Sequence, residues 1–368
     1  MSADANEREL LRDTVGRLLA SHCTPERVAA AAKASAGWDA PLWQALEDTG
    51  LTLVGSPEEL GGSGGDLASA AEVAVAAGAA AAPVPLGETL AAGIVLARAG
   101  RRIPPGPLTL AVAAGGGETL RRVPYGRLAT TVAVGGGPGG EWLAVAARGS
   151  VARFGRNLAG EPRDDLRLGA DAEIHPASAG TVDHARWLLR LFRALLISGA
   201  ARRALELTVA YVTEREQFGR PLGKMPAVQQ EIARMAGEVA LIGAAVQAAV
   251  ADGVVADDAS AAADGVVTDD VPAAADADAA SAGDAISAVL AAKAQASHGA
   301  GIVAAIAHQM HGAIGTTEEH RLRLTTTRLW SWREEDGTAS DCFAELGRAA
   351  LQAGAGGLWP WLTGGSGA

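Results

Sequence analysis

Two long, alanine-rich stretches with helical periodicity flank a shorter segment in which every apolar run is cut off by glycines. That alternation restricts the chain to layouts in which a small β domain lies between helical parts, because helix and strand patterns have different periods and do not interchange. In the first stretch, NERELLRDTVGRLLASH puts Leu10, Leu11, Val15, Leu18 and Leu19 on one helical face, and APLWQALEDTGL reads as a second helix ending at Gly50. PEELGGSGGD follows as a loop, then LASAAEVAVAAGAAAAPV as an alanine-rich helix stopped by prolines. Between about 107 and 180, LTLAVAAGGG, LATTVAVGGG, EWLAVAARG and SVARFGR read as short strands. Beyond 181 three long helical segments return, among them HARWLLRLFRALLISGAARRALELTVAYVTERE. Hydrophobic residues make up 49% of the chain but aromatics only 4%, which favours closely packed helices over a β-rich protein. The predicted fold class is α+β, mostly α: an N-terminal helical domain (1–106), a reduced middle β domain (107–180) and a C-terminal helical bundle (181–368).

The net charge of −11 is unevenly placed. Residues 251–284 hold nine aspartates and no Lys or Arg, leaving about −2 for the rest of the chain. Within this insert ADGVVADDA recurs as ADGVVTDDV twelve residues later. Clustered aspartate, glycine and proline predict an expanded loop between two helices. The spacing and closing glutamate of a calcium loop are absent, so no metal site is expected. No basic stripe interleaved with aromatics points to nucleic acid. Two cysteines, Cys23 and Cys342, do not make a disulfide framework, and Cys23 is expected as a buried free thiol. The polar start MSADANERELLRDTV is not a signal peptide, and no charge-free apolar run has membrane-spanning length. The expected location is the cytoplasm.

Three stretches in order along the chain resemble the acyl-CoA dehydrogenase family: LWQALEDTGLTLVGSPEELGGSGGD (42–66), TEREQFGRPLGKMPAVQQEIARMA (213–236) and QMHGAIGTTEEHRL (309–322). The last resembles the family's Gln-x-x-Gly-Gly-x-Gly turn. The resemblance implies FAD as cofactor and dehydrogenation of an acyl-CoA thioester, with a base removing the Cα proton as a hydride leaves Cβ for the flavin. It also implies that Arg215, Gln217 and Phe218, with Gln309, Gly312, Ala313 and Gly315, bind the FAD of a neighbouring subunit. A guanidinium fork and a close-approaching glycine turn both suit a pyrophosphate. The family's base segment, Tyr-Glu-Gly-Thr, falls on Glu335-Asp336-Gly337-Thr338. That makes Asp336 the base position, one methylene short of glutamate, with Glu335 directed elsewhere. The family's other base location falls near Leu189.

The family's ring-binding stretches, Thr-Glu-Pro…Gly-Ser-Asp and Trp-Ile-Thr, have no match between 107 and 180. The resemblance is therefore to the shorter subunit type of heterotetrameric actinobacterial enzymes, which completes the cofactor site of a homologous catalytic partner. Two alternatives stand beside it: a self-sufficient homo-oligomeric flavoenzyme using Asp336, and a helical homologue without flavin that is structural or regulatory.

Overall fold

The computed structural model describes residues 3–114, 119–147, 149–170, 172–217, 219–264, 274–318 and 320–363. The chain opens with α1 (Ala3–His22), α2 (Pro25–Lys33), α3 (Ala40–Asp48), α4 (Leu67–Ala79) and α5 (Leu86–Arg98). Side-chain caps set three of these starts: Thr24 accepts from the Arg27 N–H, Asp39 from that of Leu42, and Asp66 from that of Ser69. Asp39 also takes a bidentate pair from Arg27 at 3.0 and 2.7 Å, which ties α2 to α3. Residues Leu86–Leu96 of α5 are buried on every side, so this helix is a core element rather than a surface one.

The middle part consists of two small sheets. Strands β1 (Leu108–Val112), β3 (Thr130–Gly137), β4 (Gly140–Ala146) and β7 (Glu173–Pro176) form one, in the order β1-β3-β4-β7. Strands β2 (Thr119–Pro124), β6 (Arg163–Arg167) and β5 (Ser150–Arg153) form the other, in the order β2-β6-β5. Only β1 and β3 run parallel; the remaining pairs in these two sheets are antiparallel. The register of β2 shifts between Leu120 and Val123, and Arg122 in that bulge has φ +53°.

The C-terminal part holds α6 (Thr181–Glu214), α7 (Pro226–Asp264), α8 (Ala274–His311), α9 (Leu322–Trp332) and α10 (Ala339–Thr363), with a two-residue hairpin, β8 (Glu216–Gln217) and β9 (Arg220–Pro221), after α6. Helices α6, α7, α8 and α10 form the bundle, and α4 lies across α6. Glycines set that crossing. A Cβ at Gly78 would stand 2.1 Å from the Leu196 carbonyl oxygen, and one at Gly199 would stand 2.0 Å from that of Val75. Each helix thus lays its backbone against a glycine of the other.

The segment 251–284 differs from the loop expected of it. Helix α7 continues to Asp264 and α8 begins at Ala274, so both flanks are helical; residues 265–273 lie outside the described ones. The alanine between the aspartates carries the helix. Gly253 adds a packing reason, because the Trp187 ring lies 2.7 Å from where a Cβ would be, so α7 is held against α6 past the insert's start. Stretches 226–254 and 285–316 are long and apolar enough by composition to cross a membrane, but both belong to bundle helices, and the second is largely buried inside the protein.

Candidate active site and its neighbouring motifs

The base position lies at the junction of all three parts. After α9 the chain turns through 333–338, with Asp336 at φ +57° and Gly337 at φ +103°. Thr338 then caps α10: its N–H donates to Asp341 Oδ2 at 2.9 Å, and the Asp341 N–H donates back to Thr338 Oγ1 at 3.1 Å. Buried Lys293 of α8 fixes the turn from below, donating to the Gly337 carbonyl at 2.6 Å and to Ser297 Oγ at 2.7 Å. Burial lowers the Lys293 pKa to about 8.

Four carboxylates and three guanidiniums meet here. Glu335 is buried, and its pointing elsewhere has a definite target. It accepts from Arg163 Nε at 2.9 Å and Nη2 at 2.8 Å, with Arg193 Nη1 at 3.4 Å. Burial alone would raise the Glu335 carboxyl, but Arg163 and Arg193 outweigh it and hold the pKa at about 2. Glu161 accepts from Arg163 at 3.0 Å and from Trp332 Nε1 at 2.9 Å, and lies 3.0 Å from Arg328 Nε. Arg193 divides its donors among Glu335, Asp336 (Nε to Oδ2, 2.8 Å) and Glu88 (Nη2 to Oε1, 3.1 Å). The cluster joins α5, β6, α6 and the turn after α9, and every charge in it has an opposite partner, as burial requires.

Asp336 is the outermost member, its side chain 18% exposed, at the edge of a cleft of about 290 Å³. Leu189, the other position at which the resemblance sought a base, lines the same cleft and has no titratable group. With Oδ2 committed to Arg193, Asp336 is a counter-ion in this arrangement. Its second oxygen, Oδ1, is the one it could present to a substrate proton.

The motifs expected to serve a neighbour's cofactor lie elsewhere, at one end of the bundle. Arg215 is the residue on which α6 ends and is exposed. Among the described residues its side chain makes no hydrogen bond or ion pair. Gln217 is exposed on the β8–β9 hairpin, whose turn uses Gly219 at φ +76°; Phe218 lies outside the described residues. On the other motif, Gln309, Gly312 and Ala313 are exposed and Gly315 is buried. Gly312 has φ +63° and nothing within 4 Å of its Cβ position, so its backbone is open to close approach. Tyr211, one turn before Arg215, stacks on His311 with ring centroids 4.3 Å apart, which places the two motifs side by side. His320 meets both rings edge-on. An unpaired guanidinium beside an open glycine turn fits a phosphate-bearing group such as the FAD pyrophosphate approaching from outside the chain.

The ion cluster escaped the sequence reading. Arg193 in LFRALLISGA carried the one available signal, a lone guanidinium in an otherwise apolar helical run, four residues beyond Leu189. Glu88, Glu161, Arg163 and Arg328 carried none, since their meeting depends on tertiary packing.

Both helical parts match family models. Residues 5–102 match the acyl-CoA dehydrogenase N-terminal domain and residues 180–340 the C-terminal domain. The chain belongs to the acyl-CoA dehydrogenase family. It is 32% identical over 252 residues to the acyl-CoA dehydrogenase IpdE2 of Mycolicibacterium smegmatis, covering 67% of this chain and 78% of that one. With IpdE2 of Mycobacterium tuberculosis it shares 33% identity over 254 residues, covering 67% and 75%. Among solved structures, the ChsE4-ChsE5 complex from Mycobacterium tuberculosis has a chain of the same fold, with TM-score 0.78 at 24% identity over 96% of this chain and 98% of that one. A steroid acyl-CoA dehydrogenase variant, Tcur3481-Tcur3483, gives 0.77 at 24% over 95% and 99%. FAD is the family's typical cofactor.

Proposed function

We propose that this chain is the non-catalytic subunit of an FAD-dependent acyl-CoA dehydrogenase, working in the cytoplasm and completing the FAD site of a homologous catalytic partner. One observation carries the reading: the carboxylate at the base position is bound inward by Arg193, while Arg215 and the Gly312 turn are exposed, and among the described residues the Arg215 side chain makes no hydrogen bond or ion pair. A chain built to use its own base would leave that base free and its cleft roomy. A chain built to serve a neighbour would leave its cofactor motifs exposed. In this reading Arg215 would hold a phosphate of the partner's FAD, together with the open backbone at Gly312. Gln217 and Gln309 add hydrogen-bonding side chains at the same end. FAD held between the subunits would supply the hydride acceptor for Cβ of the acyl-CoA, with a carboxylate of the partner as the base for the Cα proton.

The test is purification of the chain alone and together with a homologous catalytic subunit. The expected result is a colourless protein alone and a flavin spectrum with acyl-CoA turnover in the mixture. Arg215→Ala should lower the flavin retained by the complex. A yellow, active preparation of the chain alone would overturn the reading in favour of a homo-oligomer using Asp336. A mixture that never assembles or holds flavin would favour a helical homologue without cofactor.

A further inference from the structure

The cleft beside Asp336 is not merely a narrowed remnant. Four arginines line it: Arg121 and Arg122 from β2, and Arg186 and Arg190 from the first turns of α6. Among the described residues Asp336 is the only acidic one in the lining, and it is already paired with Arg193. Three further carboxylates stand around the arginines. Asp183 pairs with Arg186 at 3.0 Å on the surface, and Glu345 pairs with Arg190 at 2.6 Å. Asp165 accepts the Arg122 backbone N–H and Arg153 Nε, and Arg121 adds to the positive field on it. The side chains of Arg121 and Arg122 make no hydrogen bond or ion pair among the described residues. Both sit at the β2 bulge, where Arg122 takes a left-handed backbone conformation that a non-glycine residue rarely adopts. Bulges of this kind re-aim side chains.

Excess positive charge in a concave, partly enclosed space concentrates anions, and planar guanidiniums match phosphate oxygens in pairs. A volume of about 290 Å³ accommodates a phosphate or pyrophosphate group but not an isoalloxazine together with an acyl chain. We propose that this cleft is a binding site for a phosphate-bearing small molecule, held by Arg121 and Arg122 on one side and Arg186 and Arg190 on the other. The site is separate from the Arg215 end of the chain and does not depend on the role proposed for that end.

Isothermal titration of the isolated full chain with inorganic pyrophosphate, and separately with ADP, at low ionic strength tests this. Saturable binding is expected, and the double variant Arg121→Gln/Arg122→Gln should weaken it at least about tenfold, the effect of losing guanidinium forks on one anion. Arg186→Gln, an exposed change on a different element, should also weaken it, while Arg215→Ala should leave it unchanged. Equal affinity for the two probes assigns the site to free phosphate groups; tighter ADP binding assigns it to a nucleotide phosphate. No saturable heat with either probe, or unaltered affinity in both cleft variants, overturns the proposal. Flavin retention by the complex, read in the same variants, is expected to be normal. A loss there alone would concern the cofactor reading and not this one.

Discussion

Arg193 Nε stands 2.8 Å from Asp336 Oδ2, so the carboxylate at the family's base position is one arm of a guanidinium that also binds Glu88 and Glu335. The contact ties the turn after α9 to the middle of α6 and, through Arg163, to the β domain.

Replacing the two partners should therefore have unequal effects. Asp336→Asn keeps a hydrogen-bond acceptor for Arg193 and should leave turnover of the assembled complex within about twofold of the parent, a change below 1 kcal/mol. Arg193→Met takes the guanidinium partner from buried Glu88 and from Asp336, leaving Glu335 to Arg163 alone, and should lower stability by about 3–5 kcal/mol. Steady-state assays and urea melts of both variants check this, and a large loss of turnover in Asp336→Asn would show that the carboxylate is a base after all.

Acid should attack the same cluster. The folded-state pKa of Glu335 is about 2, below the ordinary glutamate value of about 4.3. Its contribution is therefore complete above pH 5 and is lost as pH falls from about 4 towards 2, a span worth on the order of 3 kcal/mol. Urea midpoints measured across that range should drop steeply for the parent and less steeply for Glu335→Gln, which starts lower.

Lys293 gives a slope of the same sign at the alkaline end. Its pKa of about 8 lies below the unfolded value of about 10.4, so between those limits the unfolded chain holds a proton that the folded chain has released. Stability should rise with pH over that interval. Lys293→Met removes this rise, and it also frees the carbonyl of Gly337 from its 2.6 Å hydrogen bond. Thermal melts at pH 7.5 and 9.5 should separate parent from variant.

At the α4–α6 crossing, Gly199→Ala or Gly78→Ala should be more damaging than an ordinary core truncation. The added methyl would meet backbone oxygens at 2.0–2.1 Å, and backbone cannot rotate aside as a side chain can. A loss of about 1–3 kcal/mol or more is expected. Calorimetry on Gly16→Ala, where nothing lies within 4 Å, provides the control.

The α–β–α order was legible because each part repeats its own period along the chain. The motifs expected to serve a cofactor could be read off because each is a short contiguous stretch, Arg215-to-Gly219 and Gln309-to-Gly315. The ion cluster was hidden for the opposite reason. Arg163 and Glu335 are 172 residues apart, and nothing local marks either as the other's partner. The insert misled because its aspartates and glycines were weighed above the alanines between them, and because Trp187, more than sixty residues earlier, was not seen to hold Gly253.

The alanine that fills the helical core has a thermodynamic consequence. Ala70, Ala74 and Ala77 of α4, Ala200 and Ala204 of α6, and Ala292, Ala296, Ala300 and Ala304 of α8 are all buried, the last four at a strict four-residue spacing. An alanine surrenders no rotamer freedom when it is packed, whereas a leucine or isoleucine gives up roughly 0.5–1 kcal/mol. Where these alanines pack, the cost of ordering is backbone entropy almost alone. Each contact also buries little surface, so their association draws on the number of close backbone approaches more than on the size of any side chain. At these alanine positions there are few methylenes to lose and little room to gain one.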